Sequence, residues 1–362
     1  MKIINAFIFF LLTVCCAFAD EPSNVLTFHG SSDASAAVAL DGDKFIVADD
    51  ENNVLRVYKI GSAPPLFAYD LTRFLSILPE YPEADIEGAT KVGNRIYWIT
   101  SHGRNRDGKI RPSRYRLFAT DIIVENDKVS IEPAGNPSRT LVHNLLKEES
   151  VVEDDLARAA GFSTGKLKAK QRLKLAPKRD GLNIEALAAE PNGKLIYIGF
   201  RNPLHKNSSG TKKAIVITLK NPLKVIEEAQ KPVFGKPLLW DLQALGIRAM
   251  EYSAFHKAFF IIAGPADEKK NFAFYKWSGD ENQQPELIRK ITDLPEDFTP
   301  EALSLFENSD KLFLLSDDGS LIVNVSSPAE CMEDKLLEGL NCQNKHLTDT
   351  SKRTFRGFWL KP

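Results

Sequence analysis

Three glutamates recur in this chain at one fixed place in a repeated pattern, and carboxylates placed that way can share a hard cation. Asp85-Ile86-Glu87-Gly88-Ala89, Asn183-Ile184-Glu185-Ala186-Leu187 and Thr299-Pro300-Glu301-Ala302-Leu303 each precede a run of β-forming residues, at 95–99, 194–198 and 311–315. Two weaker copies put Ser35 and Arg248 in the same slot. Placing Glu251 there instead shifts the copy by three residues and loses its Lys-aromatic pairing, so Arg248 is preferred. A carboxylate among small apolar residues costs several kcal/mol when buried alone. Carboxylates converging on one axis therefore need a cation, an arginine or a shared proton. Ca²⁺ or another divalent ion suits an oxygen-only set, with Asp85, Glu87, Glu185 and Glu301 as ligands and Asn183 and Ser35 as further oxygens. Internal pairing with Arg248 is the alternative, and the two are compatible.

A second set of residues follows the second strand of each unit: Ser101-His102-Gly103-Arg104, Arg201 to His205, Ala263-Gly264-Pro265 and Asp317-Asp318-Gly319. Strands in register put these loops on one face. With the dense basic run 104–116, the residues Arg104, Arg201 and Arg248 could hold a phosphate or carboxylate. The alternative is a solvated hairpin whose arginines pair with Asp107, Asp49 and Asp50. A hydrolytic version would use Glu185 as general base and His102 or Arg201 to hold the ligand, with the ion polarising the scissile bond and activating water. The chain has no Gly-x-Ser-x-Gly elbow, no phosphate-binding glycine loop and no zinc spacing of His or Cys.

The elements needed to position these groups are those of a radial β-architecture. A hairpin recurring from about residue 33 to 320 predicts an all-β fold, a single β-propeller of about five or six four-stranded blades. Pairing of 24–29 with 354–360 would close the ring and remove its open edges. The interval between Glu87 and Glu185 is long. Within it, 141–160 has helical spacing and 165–179 is strongly basic. The expected insertion, 141–179, is a helical excursion and a loop that is either solvated or a mobile cover over the axial mouth, with a sixth blade as the alternative.

Residues 1–19 have the form of a secretory signal, with Lys2, an apolar stretch over 3–14 and Ala17-Phe18-Ala19 before the cleavage point. The domain would then be 20–362, exported to the periplasm or beyond. Cys331 and Cys342, the remaining pair, are expected to form a disulfide stapling a polar loop over 328–351. Composition is globular, 43% hydrophobic and 26% charged, and a net charge of −1 gives no general attraction to nucleic acid. The expected partner is a small-molecule or cell-envelope ligand, with no transmembrane anchor after signal removal.

NIEALAAEPNGKLIYIGFRNPL, residues 183–204, is similar to the blade signature of esterase-like phytase propellers. DIEGAT, TSHGRNRDGKIRPSRYRLF, IRAMEYS and the closing RTFRGFWL more closely resemble a bacterial family of exported proteins of unknown function, domain-of-unknown-function family 3616. The resemblance covers about residues 30–360. It implies a β-propeller without an assigned reaction. Through the related phytase-like and SdiA-regulated propellers it implies a divalent ion near the axis, at Asp85, Glu87, Glu185 and Glu301. The acidic residues are fewer than alkaline phytases carry, which argues against phytase activity. A non-catalytic scaffold with a structural Glu/Arg cluster is the competing function.

Overall fold

The computed structural model describes residues 25–125, 128–162, 167–267 and 269–362; the expected signal segment, 1–19, lies outside the described residues. Five antiparallel blades follow one another along the chain. Blade I contains Ala36–Ala39, Lys44–Ala48, Val54–Lys59 and Ser62–Asp70. Blade II contains Ile86–Val92, Arg95–Thr100, Leu117–Glu125 and Lys128–Ser138. Blade III is built on Asn183–Ala189, Ile196–Asn202, Lys212–Leu219 and Leu238–Trp240. Blade IV comprises Gly246–Ser253, Ala258–Gly264, Phe272–Trp277 and Glu286–Ile291. Blade V takes Pro300–Ser304, Leu312–Ser316 and Thr354–Leu360 from the end of the chain and Val25–His29 from its start. The expected closure is therefore present, with Val25 opposite Phe358 and His29 opposite Thr354.

The first strands contact one another in ring order, I to V and back to I. Each interface between blades has its own apolar core. Ile46, Ile86 and Trp98 lie between I and II, and Tyr197, Phe259 and Trp277 between III and IV. Phe28, Phe45, Phe313 and Phe355 fill the closing seam between V and I. A blade sandwiched between two others buries both faces. That is why second strands such as Lys44–Ala48 and Leu312–Ser316 are continuous β-forming runs rather than alternating ones. Close approach at the axis demands small residues. A Cβ on Gly88 would lie 3.0 Å from the backbone nitrogen of Leu187 in the next blade.

The long interval between blades II and III is an insertion, not a sixth blade. It carries the helices Leu141–Leu145, Glu153–Ala160 and Ala169–Leu173. The segment between the second and third strands of blade V forms the hairpin Ile322–Asn324 with Asn341–Gln343, and Cys331 and Cys342 are disulfide-bonded there.

The register explains the acidic slot. Pairing of first and second strands slips by one residue between Ile86 and Gly88, Ile184 and Ala186, Ile247 and Ala249, and Pro300 and Ala302. Glu87, Glu185, Arg248 and Glu301 are thus the extra residues of β-bulges, which re-aim a side chain out of the regular ladder. In blade I pairing begins at Ala36, directly after Ser35. Glu251 lies in regular register opposite Phe260, so Arg248 is the equivalent residue. The start of each first strand also faces the end of its second strand, as in Asn183 with Asn202 and Ile86 with Thr100. Both sets of candidate residues therefore share one end of the ring.

Candidate functional site

On the side of blades III and IV the charges neutralise one another. Asn183 Nδ2 and Arg201 Nη1 donate to the same Glu185 oxygen at 2.6 and 2.7 Å. Arg248 Nε lies 3.2 Å from the other Glu185 oxygen, and its Nη2 pairs with Glu301 Oε1. Arg201 also donates to the carbonyls of Pro265 and Asp267 at 3.1 and 3.2 Å, which ties blade III to blade IV. Burial, followed by repulsion from Arg201, lowers the Arg248 pKa, and Glu185 and Glu87 oppose that shift. Glu185, Arg201 and Arg248 are buried and ion-paired, the condition under which buried charge is tolerated, while Arg248 Nε and Asn183 Oδ1 make no hydrogen bond. Ser35 is bonded internally too, its hydroxyl donating to the carbonyl of Ile86 at 2.6 Å.

On the side of blades I and II carboxylates crowd together. Asp50, Asp85 and Glu87 each place an oxygen within 4.8 Å of the others, and so do Asp33, Glu301 and Asp317. The four ligands expected from the repeats are thus divided. Asp85 and Glu87 enter one group, Glu301 the other, and Glu185 neither. Arg114 Nη1 donates to Asp85 at 2.8 Å and Nη2 to Glu83 at 2.8 Å. Lys345, from the segment beside the disulfide hairpin, reaches Glu51 at 2.6 Å. Asp33 and Asp50 each keep a buried carboxylate oxygen with no hydrogen-bond partner.

Burial, then the charge of Asp317, raises the pKa of Asp33 well above the usual carboxylate range. Burial with Glu51 and Asp49 does the same to Asp50, and burial with Asp85 and Glu185 to Glu87. Asp33, Asp50 and Asp317 lie outside the repeated strands. The sequence feature that could have found them is their position, just before a first strand or just after a second one.

His102 is buried. It shares blade II with the Asp85 group but faces other partners. Its Nδ1 lies 2.8 Å from the Thr100 carbonyl and so carries the proton, which leaves Nε2 as a buried acceptor without a partner. The ring meets Tyr115 edge-on with centroids 5.7 Å apart. Burial pushes its pKa down to about 4, against the Thr100 hydrogen bond. His102 and Asp85 have left-handed backbones, φ +52° and +62°. Such conformations cost ~1–3 kcal/mol each and concentrate at functional sites.

The arginines of 104–116 do not pair with Asp107, Asp49 or Asp50; apart from Arg114, those whose hydrogen bonds are resolved grip backbone. Arg104 donates to the carbonyls of Gly108 at 3.0 Å, Gly161 at 3.0 Å and Ala160 at 3.3 Å. It thereby secures the C-terminal end of helix Glu153–Ala160, where cations are favoured, rather than presenting its guanidinium to a ligand. Arg116 donates to the carbonyls of Leu75, Pro112 and Tyr115. The basic loop is held against blades II and III: Asn202 Nδ2 donates to Pro177 and Arg179 carbonyls at 2.9 Å. A cavity of about 740 Å³ lies between blades II and III, lined by Val92, Arg95, Asp121, Gly193 and Glu227. Its Arg95 is taken by Asp121 and Glu227.

Residues 164–331 match the family described as protein of unknown function DUF3616. No curated protein matches the chain. Glutaminyl cyclase of Myxococcus xanthus is similar over 80% of this chain and 88% of its own, at 11% identity and TM-score 0.39. A luciferin-regenerating enzyme is similar over 90% of this chain and 76% of its own, at 10% identity and TM-score 0.37. A nidogen/laminin complex chain is similar over 78% and 71%, at 10% identity and TM-score 0.33. No activity is carried over from likenesses at these values.

Proposed function

We propose that this DUF3616 propeller is an exported protein that binds a divalent cation at Asp50, Asp85 and Glu87 and, through it, a small anionic ligand. The observation that carries this is the buried Asp50 oxygen without a partner, in a group whose oxygens lie within 4.8 Å of one another. Arg114 takes the charge of Asp85 and Lys345 that of Glu51. Arg114 is shared with Glu83, so Asp50 and Glu87 stand outside these ion pairs, and one divalent ion would offset their charge. An all-oxygen donor set favours Ca²⁺ or a similarly hard ion. Bound there, such an ion would polarise an ester, lactone or phosphate and lower the pKa of a water beside it. Asp50 and Glu87 would fix its place. The ion, rather than Arg114, which Glu83 and Asp85 already hold, would attract the anionic end of the ligand. Export is supported by the Cys331–Cys342 bond, since disulfides persist in oxidising compartments.

Calcium titration calorimetry of the wild type and of Asp50→Asn/Glu87→Gln, beside a panel of chromogenic esters, lactones and phosphates, tests this. The variant should bind one ion fewer and lose turnover. Unchanged calcium stoichiometry would overturn the proposal. A second reading, a non-catalytic scaffold, is favoured by the saturation of Glu185 by Asn183, Arg201 and Arg248. A carboxylate so engaged is a weak general base. If Glu185 is only a pin, Glu185→Gln keeps whatever turnover the wild type has; if it is the base, turnover is lost while the fold survives.

A further inference from the structure

We infer that Asp33, Asp317 and Glu301 form a separate cation site that clamps the ring at its closing seam. Blade V is assembled from both ends of the chain, and residues 30–35 lead from its outer strand, Val25–His29, to the first strand of blade I. Ring closure therefore depends on how that link is held against blade V. Asp33 in the link and Asp317 after the second strand of blade V form an isolated antiparallel bridge. Asp318 N donates to the Ser32 carbonyl at 3.0 Å and Ala34 N to the Ser316 carbonyl at 3.4 Å, so backbone fixes both residues. Like charges directly opposite across two strands are destabilising.

The third member, Glu301, enters the same group, and all three oxygens lie within 4.8 Å of one another. Asp33 is only 4% exposed, and one of its oxygens has no hydrogen-bond partner. A buried polar atom of that kind requires a missing partner. The nearby cations are already committed: Arg248 to Glu301 and Glu185, Arg201 to Glu185, and Lys345 to Glu51. The carboxyls of Asp33 and Asp317 are left in contact with each other, with no cation of the described residues paired to either. One divalent ion would turn that contact into a bridge from the N-terminal link to blade V. A single proton shared by the two carboxyls is the competing solution. The seam site does not rest on the ligand-binding proposal, because Asp50, Asp85 and Glu87 belong to blades I and II.

The test is limited proteolysis of the full chain across residues 30–35 with Ca²⁺ or with a chelator. Ca²⁺ at a hundred times its Kd should slow cleavage about 100-fold. Asp33→Asn should cut at the chelated wild-type rate in either condition, while Asp50→Asn keeps the protection. Equal protection of Asp33→Asn and wild type would overturn the site. Should Asp33→Asn fail to fold, wild-type crystals grown with Ca²⁺ decide. Anomalous density at about 2.3–2.6 Å from Asp33 and Asp317 oxygens supports the clamp. A direct carboxyl–carboxyl contact without an ion replaces it by the shared proton.

Discussion

Two halves of one axial end reach opposite electrostatic arrangements on the same backbone. In blades III and IV, bulges bring Glu185 and Arg248 inward, and Arg201 completes a paired network that extends to Glu301. In blade II the equivalent bulge brings in Glu87, which meets Asp85 and Asp50 instead of an arginine. The bulge fixes where a charge sits, and the loop residues around it fix whether that charge is satisfied. A repeat that looks uniform along the chain thus produces a braced half and a half with acceptor capacity to spare.

The largest effect that could break this comparison is removal of the brace. Arg248→Met leaves Glu185 with Arg201 as its one cation and Glu301 facing Asp33 and Asp317 unpaired. Breaking a buried pair by removing one partner costs about 3–5 kcal/mol. Urea unfolding should show a loss of that size, partly recovered when Glu301→Gln is added. A loss below about 1 kcal/mol would mean that the network does not brace the ring.

Much of this geometry was legible in the sequence because it repeats. The Ile-Glu-Ala type of strand start marked the bulges, and lysine-aromatic runs marked the second strands. Composition singled out the closing pair, the helical insertion and the two cysteines. The division into halves was hidden. Glu185 reads the same as Glu87 in its own strand, and the difference arises from Arg201, sixteen residues on, and from Arg248 in the next blade. Asp33 and Asp317 are 284 residues apart and meet only because the ring closes between them. Arg104 sat in a run that looked like an anion site, yet its bonds go to carbonyls of an inserted helix whose docking no local pattern encodes.

His102 probes the second half through pH. Its pKa is about 4 in the folded protein and 6.5 in the unfolded chain. The unfolded state therefore binds more protons between those values. Stability is full above pH 6.5 and is lost as pH falls from about 6.5 to about 4, by on the order of 3 kcal/mol in all. His102→Asn, which tolerates the left-handed backbone, should flatten that part of the stability curve. If the wild-type curve is already flat there, the ring is protonated in the fold, and Nε2 has a partner rather than a free lone pair.

The smallest effect separates the two halves by sign. Removing a carboxylate from the braced half must destabilise, because it strands an arginine. In the other half Asp50 is held with its carboxyl pKa raised by burial and then by Glu51 and Asp49. A raised folded pKa means that stability falls as pH rises through and above the unfolded value, since the folded state gives up its proton later. Calcium-free Asp50→Asn should therefore be more stable than wild type by on the order of 1 kcal/mol at neutral pH, the scale of one like-charge contact at about 4 Å screened as in water. With Ca²⁺ present the order should reverse, because the wild type alone gains binding energy at that site. Thermal melts in chelator and in Ca²⁺ would read both signs. Destabilisation in both conditions would make Asp50 a structural partner like Glu185, and the two halves would no longer differ.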